Sequence, residues 1–351
     1  MNRRGVSLAY TALTDKPLLA RLAEERGFDA VWNSGDSIAL SGAMTQATHG
    51  PQIGTGVVHA FAHEPRALAV ACAEVQELSG GRFILGLGGG TKRGNINRLG
   101  REFDHPATRI RELIHAMRLA WGTPASEPVD YSGRYVELTG TGLRGRGQAL
   151  AFGRPYVVPA ERQEDEPRET PIYLAAVNKA MFRLAGDLCQ GLCGHPMAST
   201  RFIEETAWPA IDVGLQRSGR RRADFDHQAW IITAISGNRE QALREVKHHM
   251  ARFMATRSYA IVLDSQGYED VRHAIQDAFF NHRGDDEALI AAVPDEVARE
   301  HGIFGTPDEV REQAARYEGI VDTSTFYCAS SLMSPERILE NVELMIETFG
   351  E

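Results

Sequence analysis

The chain has 351 residues, of which 43% are hydrophobic and 24% charged, with a formal net charge of −9 at pH 7. This is soluble globular composition, enough for one large domain or two small ones. An acidic chain with no run of about 18 apolar residues is expected neither to bind nucleic acid nor to span a membrane.

In chain order, residues 5–12 (GVSLAYTA) predict a first strand. Residues 16–26 predict a helix with Leu18, Leu19 and Leu22 on one face and Gly27 as its stop. A second strand, FDAVWNS (28–34), and a short helix over 38–49 follow. PQIGTGVVHAF (51–61) is the third strand. A helix over 65–79 aligns Leu68, Cys72, Val75 and Leu78, and RFILGLG (82–88) is strand four. Pro106 opens a helix over 106–121. Residues 122–169 break the rhythm with Gly, Pro and charge, and carry a hairpin signal around Tyr131 to Tyr135. They read as an insertion.

The pattern resumes with PIYLAAV (171–177) and a helix over 178–187. GLCGHP (191–196) and a helix over about 200–218 come next, then HQAWIITAIS (227–236) and a helix over about 238–256. Residues 257–305 are mixed and mostly helical, a second insertion. Thr306 can cap and Pro307 can open a helix over 307–318. GIVDTSTFY (319–327) is strand eight, and a helix over 335–348 closes the chain. Eight strands alternating with helices predict an α/β fold, a (β/α)8 barrel with insertions after strands 4 and 7 in a single domain over 1–351. An open doubly wound sheet is the second possibility. In a barrel the chemistry lies at the C-terminal ends of the strands.

The start, MNRRGVSLAY, has no apolar signal core, and the four cysteines are sparse and irregular. Both features lead us to expect a cytoplasmic protein with reduced thiols. Cys189 and Cys193 lack further ligands to complete a zinc set, so they are read as core fillers and no metal is expected.

The stretch LSGGRFILGLGGGTKRGN (78–95) is neither a dinucleotide fingerprint nor a Walker loop. The third glycine of the first is missing, and the second needs Gly-Lys-Ser/Thr. Its glycines allow close backbone approach, and Lys92, Arg93 and Arg98 follow. A turn with a solvated basic edge competes with a cradle for an anion or a ring system. AAVNKAM (175–181) is a second candidate, where a helix N-terminus near Asn178 and Lys179 favours phosphate.

LSGGRFILGLGGG, preceded by AVACAEVQE, resembles the bacterial luciferase-like superfamily, most nearly the branch that uses coenzyme F420. GFDAVWNS, IGTGVVHAFAHEPRAL, PIYLAAVNKAMFRLAG and FGTPDEV extend the likeness over about residues 5–348. The resemblance implies a barrel with a cofactor in its mouth, a homodimer, and a small-molecule substrate. It implies a bulge with a non-proline cis peptide in Gly56, Val57 and Val58, with Gly56–Val57 the expected bond. Phosphate contacts map to Ala175, Ala176, Val177, Asn178 and Lys179. Gly88, Gly89, Gly90, Thr91 and Asn95 would wall the ring and its side chain. A sugar-phosphate-oxidising branch carries Asp-His after strand two and Glu after the strand-four glycines. Here Asn33-Ser34-Gly35-Asp36 and Thr91 stand there, so that reaction is not expected.

Hydride addition to C=C or C=N needs a proton donor. His195 and His59 are the positional candidates, with Asp36 and Asn33 as further catalytic candidates. Each also has a plain structural reading, and His63 is read as a helix cap. Asn33 and Thr91 are candidates to hydrogen-bond ring or substrate. Trp32 and Phe61 are expected to pack rather than stack on a cofactor, while Tyr10 and Tyr327 could face the mouth. The expected function is an F420-dependent oxidoreductase reducing an unsaturated or imine small molecule. The alternatives are an FMNH2-dependent monooxygenase (cofactor FMN) and a non-catalytic flavin-binding barrel.

Overall fold

The structure, a computed structural model, describes residues 2–144 and 169–351. The first half runs β1 (Arg3–Ser7), α1 (Lys16–Glu25), β2 (Ala30–Asn33), α2 (Ile38–Ala47), β3 (Gln52–Thr55), β4 (Val58–His59), α3 (Pro65–Leu78), β5 (Phe83–Gly88), α4 (Lys92–Leu99) and α5 (Pro106–Gly122). An antiparallel hairpin follows, β6 (Pro128–Ser132) and β7 (Glu137–Thr141). The second half runs β8 (Ile172–Ala175), α6 (Lys179–Leu188), β9 (Gly191–Cys193) and α7 (Thr200–Phe202). A π-helical turn at Ile203–Ala207 leads into α8 (Trp208–Arg217), and β10 (Asp226–Ile235) and α9 (Arg239–Met254) follow. Four more helices, α10 (Ala260–Asp264), α11 (Glu269–Asn281), α12 (Asp286–Ala291) and α13 (Asp295–His301), precede β11 (Gly302–Gly305), α14 (Pro307–Ala314), β12 (Thr323–Cys328) and α15 (Pro335–Phe349).

The sheet closes on itself. β1, β2, β3, β5, β8, β9, β10 and β12 pair in parallel in that order, and β12 pairs back to β1 with Val6 beside Phe326. Every crossover carries a helix, which is what parallel neighbours require. The fold is the expected (β/α)8 barrel. β11 pairs only with the upper half of β10 (Ile232 beside Gly302), so the segment expected to be mostly helical also ends in a strand.

Large side chains fill the barrel from below. Asp226 at the lower end accepts hydrogen bonds from Tyr173, Gln228 and Thr323 and pairs with Arg3 at 2.8 Å. Above it Trp32 packs 6.0 Å from the Tyr173 ring and 5.6 Å from Trp230. A Cβ on Gly54 would sit 2.3 Å from the Trp32 ring, so a hydrogen-only residue lets that indole occupy the axis. With the lower end plugged, open space lies at the C-terminal tips.

Four local expectations need correction. The first strand ends at Ser7, and the chain turns at Tyr10, whose φ of 64° is left-handed. The third strand breaks at Gly56–Val57, which is cis as expected, and resumes as β4 beside Leu87. Leu18 and Leu78 are exposed although both sit in apolar runs, because their helices bury the Leu19/Ala23 and Leu68/Cys72 faces. The stretch after the strand-four glycines is not a loop but α4, capped by Thr91, whose Oγ1 accepts the Gly94 amide at 3.1 Å.

The hairpin signal around Tyr131 is β6–β7. Buried Glu112 of α5 pins its turn by accepting the backbone amides of Arg134, Tyr135 and Val136 at 3.1, 2.7 and 3.1 Å. The rest of that expected insertion, residues 145–168, lies outside the described residues. Capping of α14 is as expected: Thr306 and Glu309 form a reciprocal box with Pro307 in the first turn. All four cysteines are buried and free.

Candidate active site

A cavity of about 450 Å³ opens at the strand tips. Its walls come from β3–β5, β8–β9, β10 and β12, with Ser258 and Tyr259 reaching in from the segment after α9. The lining residues are of two kinds. Gly56, Val57, Gly88, Gly89, Gly90, Ala175, Ala176 and Val177 present backbone and small side chains. His195, Trp230, Phe253, Tyr259 and Tyr327 present rings.

Close packing explains the bare backbone. A Cβ on Gly86 would meet the Thr55 carbonyl oxygen at 1.8 Å, one on Gly56 would meet Trp230 at 2.3 Å, and one on Gly88 would meet Val57 at 2.8 Å. Gly90 has φ +65°, a conformation glycine adopts without penalty. Asn95 lies beneath this loop, donating from Nδ2 to the carbonyls of Gly89 at 2.7 Å and Thr91 at 3.0 Å. Asn95 and Thr91 therefore shape the loop and do not line the cavity. Val58 is fully buried behind it.

The loop after β8 delivers Asn178 into the cavity wall as the cap of α6; its Oδ1 accepts the Met181 amide at 3.1 Å. The first turn of α6 is exposed and follows the cavity-lining Asn178, and amides at a helix N-terminus attract anions. Lys179 begins that helix as an exposed side chain and is not among the lining residues.

His195 lines the cavity at the end of β9. Its Nδ1 accepts the Met197 amide at 3.2 Å, which puts the ring proton on Nε2, and Nε2 has no partner. Burial, helped by nearby His301, lowers its pKa to about 3. The ring is thus neutral at pH 7 and acts as a hydrogen-bond donor, not as the near-neutral proton store that the chemistry led us to expect. Trp230 offers a second buried N–H with no partner. The Tyr327 hydroxyl stands 3.1 Å from that of Tyr10.

The other sequence candidates separate. His59 lines the cavity, with Nδ1 3.3 Å from Asp36 Oδ2. Asp36 stands behind it, bound also to His63 Nε2 at 3.0 Å and to the His59 amide at 3.1 Å. Burial alone would raise the Asp36 carboxyl; the hydrogen bonds from His59 and His63 outweigh it and hold the pKa below its ordinary value. His63 is therefore a partner of Asp36 and not the cap of α3, whose N-cap residue is Glu64. Asn33 is not at the site. It is buried, takes the Lys16 ammonium at 3.0 Å on Oδ1 and donates to the Ser37 carbonyl at 2.8 Å, so its polar atoms are already engaged. Trp32 and Phe61 pack as expected, Phe61 against Phe103. Tyr259 and Phe253 were missed, because they stand in or beside the second insertion and no motif marks them.

The luciferase-like monooxygenase family model matches residues 1–324. A Mycobacterium tuberculosis protein provisionally named a coenzyme F420-dependent oxidoreductase is 31% identical over 333 residues, covering 89% of this chain and 90% of that one. The 5,10-methylenetetrahydromethanopterin reductase of Archaeoglobus fulgidus is 28% identical over 301 residues, covering 84% and 82%. The structure of the coenzyme F420-dependent tetrahydromethanopterin reductase from Methanopyrus kandleri superposes with a TM-score of 0.77 at 22% identity, over 99% of this chain and 98% of that one. With a barrel open at its strand tips and a family match over most of its length, the chain belongs to the luciferase-like monooxygenase family and is an oxidoreductase.

Proposed function

We propose that this oxidoreductase uses coenzyme F420 and works as a reductase, moving a hydride between the reduced deazaflavin and an unsaturated or imine small molecule. The observation that carries the reading is the cavity of about 450 Å³ at the strand tips, whose lining combines bare backbone at Gly56, Gly88, Gly89 and Gly90 with the rings of Trp230, Phe253 and Tyr259. A planar tricyclic ring fits against Gly56, Val57, Gly88, Gly89 and Gly90, where side chains are small. Its phosphate fits the amides of Ala176, Val177 and Asn178 at the start of α6, with Lys179 adding charge from outside. The names of the relatives that match over most of their length support F420 over FMN.

The bound coenzyme supplies a hydride. The chain's own part is to orient the substrate, exclude water and manage one proton. His195 orients, by donating from Nε2. His59, held by Asp36, lines the cavity beside Gly90. Proton supply is not assigned to His195, since burial keeps that ring neutral. A homodimer in the cytoplasm is the assembly proposed.

The test is a titration of purified protein with oxidised F420 and with FMN, following quenching of each fluorophore. F420 is expected to bind at least tenfold more tightly. Tighter FMN binding would move the assignment to the monooxygenase reading. Binding without turnover of any unsaturated or imine acceptor would favour a non-catalytic barrel.

A further inference from the structure

We propose that His59 is the general acid of this oxidoreductase, giving one proton from Nε2 at the cavity wall, and that Asp36 is the residue that positions it. This rests on the reductase reading above and deepens it.

Among the described residues lining the cavity, five carry a titratable proton: His59, Cys193, His195, Tyr259 and Tyr327. Burial keeps four of them uncharged at neutral pH. It lowers His195 to about 3 and raises Cys193, Tyr259 and Tyr327 above their ordinary values. Groups pinned in this way are poor proton carriers near neutrality. His59 differs in its setting: its side chain is 46% exposed and faces a carboxylate.

That carboxylate fixes which nitrogen is free. Asp36 Oδ1 accepts the His59 amide at 3.1 Å, and Oδ2 stands 3.3 Å from His59 Nδ1. Against the effect of burial, hydrogen bonds from His59 and His63 hold the Asp36 carboxyl below its ordinary value, so it is ionised and only accepts. Nδ1 then carries a hydrogen, and Nε2 is the nitrogen that gains and loses a proton. No hydrogen bond within the described residues engages Nε2. The ring edge that holds it runs along the loop after β5, since a Cβ on Gly90 would lie 3.0 Å from His59 Cδ2 and 3.6 Å from Nε2. Gly90 and His59 line the cavity and Asp36 does not, so the gripped edge and the cavity edge are different edges of one ring.

The charged neighbours come from three elements. Asp36 stands in the connection between β2 and α2. His63, in the turn before α3, gives Asp36 Oδ1 a second donor at 3.0 Å. Lys92 and Arg93 open α4 beyond Gly90 and form no ion pair with Asp36.

The hydride that bound reduced deazaflavin supplies makes a C–H bond at one end of the substrate C=C or C=N. The Nε2 proton makes a C–H or N–H bond at the other end. The π bond is lost, the substrate gains two electrons, and the coenzyme loses two. His59 passes from imidazolium to neutral imidazole, keeps its hydrogen on Nδ1, and regains the Nε2 proton from water through its exposed face.

Two measurements on protein saturated with F420 test this. The first needs no substrate. Nitrogen-15 spectra of labelled histidine are followed from about pH 5 to 9, with His59 identified by the signals lost in His59→Gln. Nε2 should take up the proton while Nδ1 keeps its hydrogen, and Asp36→Asn should move the midpoint to lower pH. The second is single-turnover oxidation of bound reduced F420 by cyclohex-2-enone or by the imine 3,4-dihydroisoquinoline. The rate should fall with rising pH in step with the protonated fraction of Nε2. His59→Gln should be about a hundredfold slower, with a flat profile. Added imidazole should restore part of the rate in His59→Ala. A rate and profile that His59→Gln leaves unchanged would overturn the proposal while the reductase reading stands. If neither acceptor oxidises the coenzyme, the reductase reading fails. The spectra still decide on the pair: proton uptake at Nδ1, or a midpoint that Asp36→Asn does not move, rules it out.

Discussion

The phenol oxygens of Tyr10 and Tyr327 stand 3.1 Å apart, one on a ring that is 55% exposed and the other on a ring that is 6% exposed in the cavity wall. Burial, with the Tyr10 hydroxyl second, pushes the Tyr327 pKa well above the ordinary phenol value. A raised folded pKa means that the native state holds the proton longer than the unfolded chain. Its contribution to stability is therefore complete below about pH 10 and is lost as pH rises beyond that. In an ultraviolet titration, Tyr327→Phe should remove one of the late-ionising phenols. It should also flatten the fall in urea midpoint between pH 9 and 11. A variant with the same slope as wild type would refute this assignment.

His195, His227 and His249 are each held neutral by burial, with pKa values lowered to about 3. Here the folded value lies below the unfolded one. The contribution is present above about pH 6.5 and is lost as pH falls toward 3. Stability should drop through that window with a slope of about 1.4 kcal/mol per pH unit for each such ring. His227→Gln, chosen because that ring is away from the cavity, should lower the slope by about 1.4 kcal/mol per pH unit. Chemical denaturation at pH 7, 5.5 and 4.5 measures it.

Gly86 and Gly56 should respond differently to alanine. At Gly86 the new Cβ would strike the Thr55 carbonyl, which is backbone and cannot swing away. We expect a loss of about 3 kcal/mol or more, read from denaturant midpoints. At Gly56 the obstacle is the Trp230 ring, a side chain. Gly56→Ala should keep a cooperative melt yet weaken coenzyme binding at least tenfold, because the ring is pushed into the cavity.

Glu112 accepts three amides from the β6–β7 turn. A carboxylate in such a nest binds more strongly than a neutral amide group. Glu112→Gln should cost about 1–3 kcal/mol. It should also raise hydrogen exchange at Arg134, Tyr135 and Val136 without altering the barrel strands.

Asp36 holds two histidines on the open side of the cavity. It is about one third exposed, so Asp36→Asn should change stability by less than about 1 kcal/mol. If His59 borders the bound ring, the same variant should weaken F420 quenching several-fold. Unchanged binding would assign the trio to surface structure alone.

The barrel was legible because its signals are local and repeated. The apolar strand runs FILGLG and IYLA end at Gly88 and just before the helix cap Asn178, and Gly27, with its left-handed φ of 71°, stops α1. The bare backbone of the site was legible for the same reason, since missing side chains show in the letters themselves. Asn33 misled because an amide beside a strand tip looks like a ligand group. Only the fold reveals that Lys16, seventeen residues earlier, already occupies it. The rings of the site were hard to read for the opposite reason. His195, Trp230, Phe253, Tyr259 and Tyr327 come from separate elements, and nothing in their spacing says that they meet.

The four cysteines, sealed inside, make this molecule a reporter of its own opening. Burial drives the Cys189 and Cys328 thiols up to about 12 and raises those of Cys72 and Cys193 well above the ordinary thiol value, so thiolate is scarce as well as hidden. With all four side chains buried, an alkylating reagent meets little sulfur on a closed molecule. Each adduct then dates one excursion, and mapping the modified cysteine tells which part of the wall gave way first: Cys193 beside the cavity, or Cys72 in the outer helix layer.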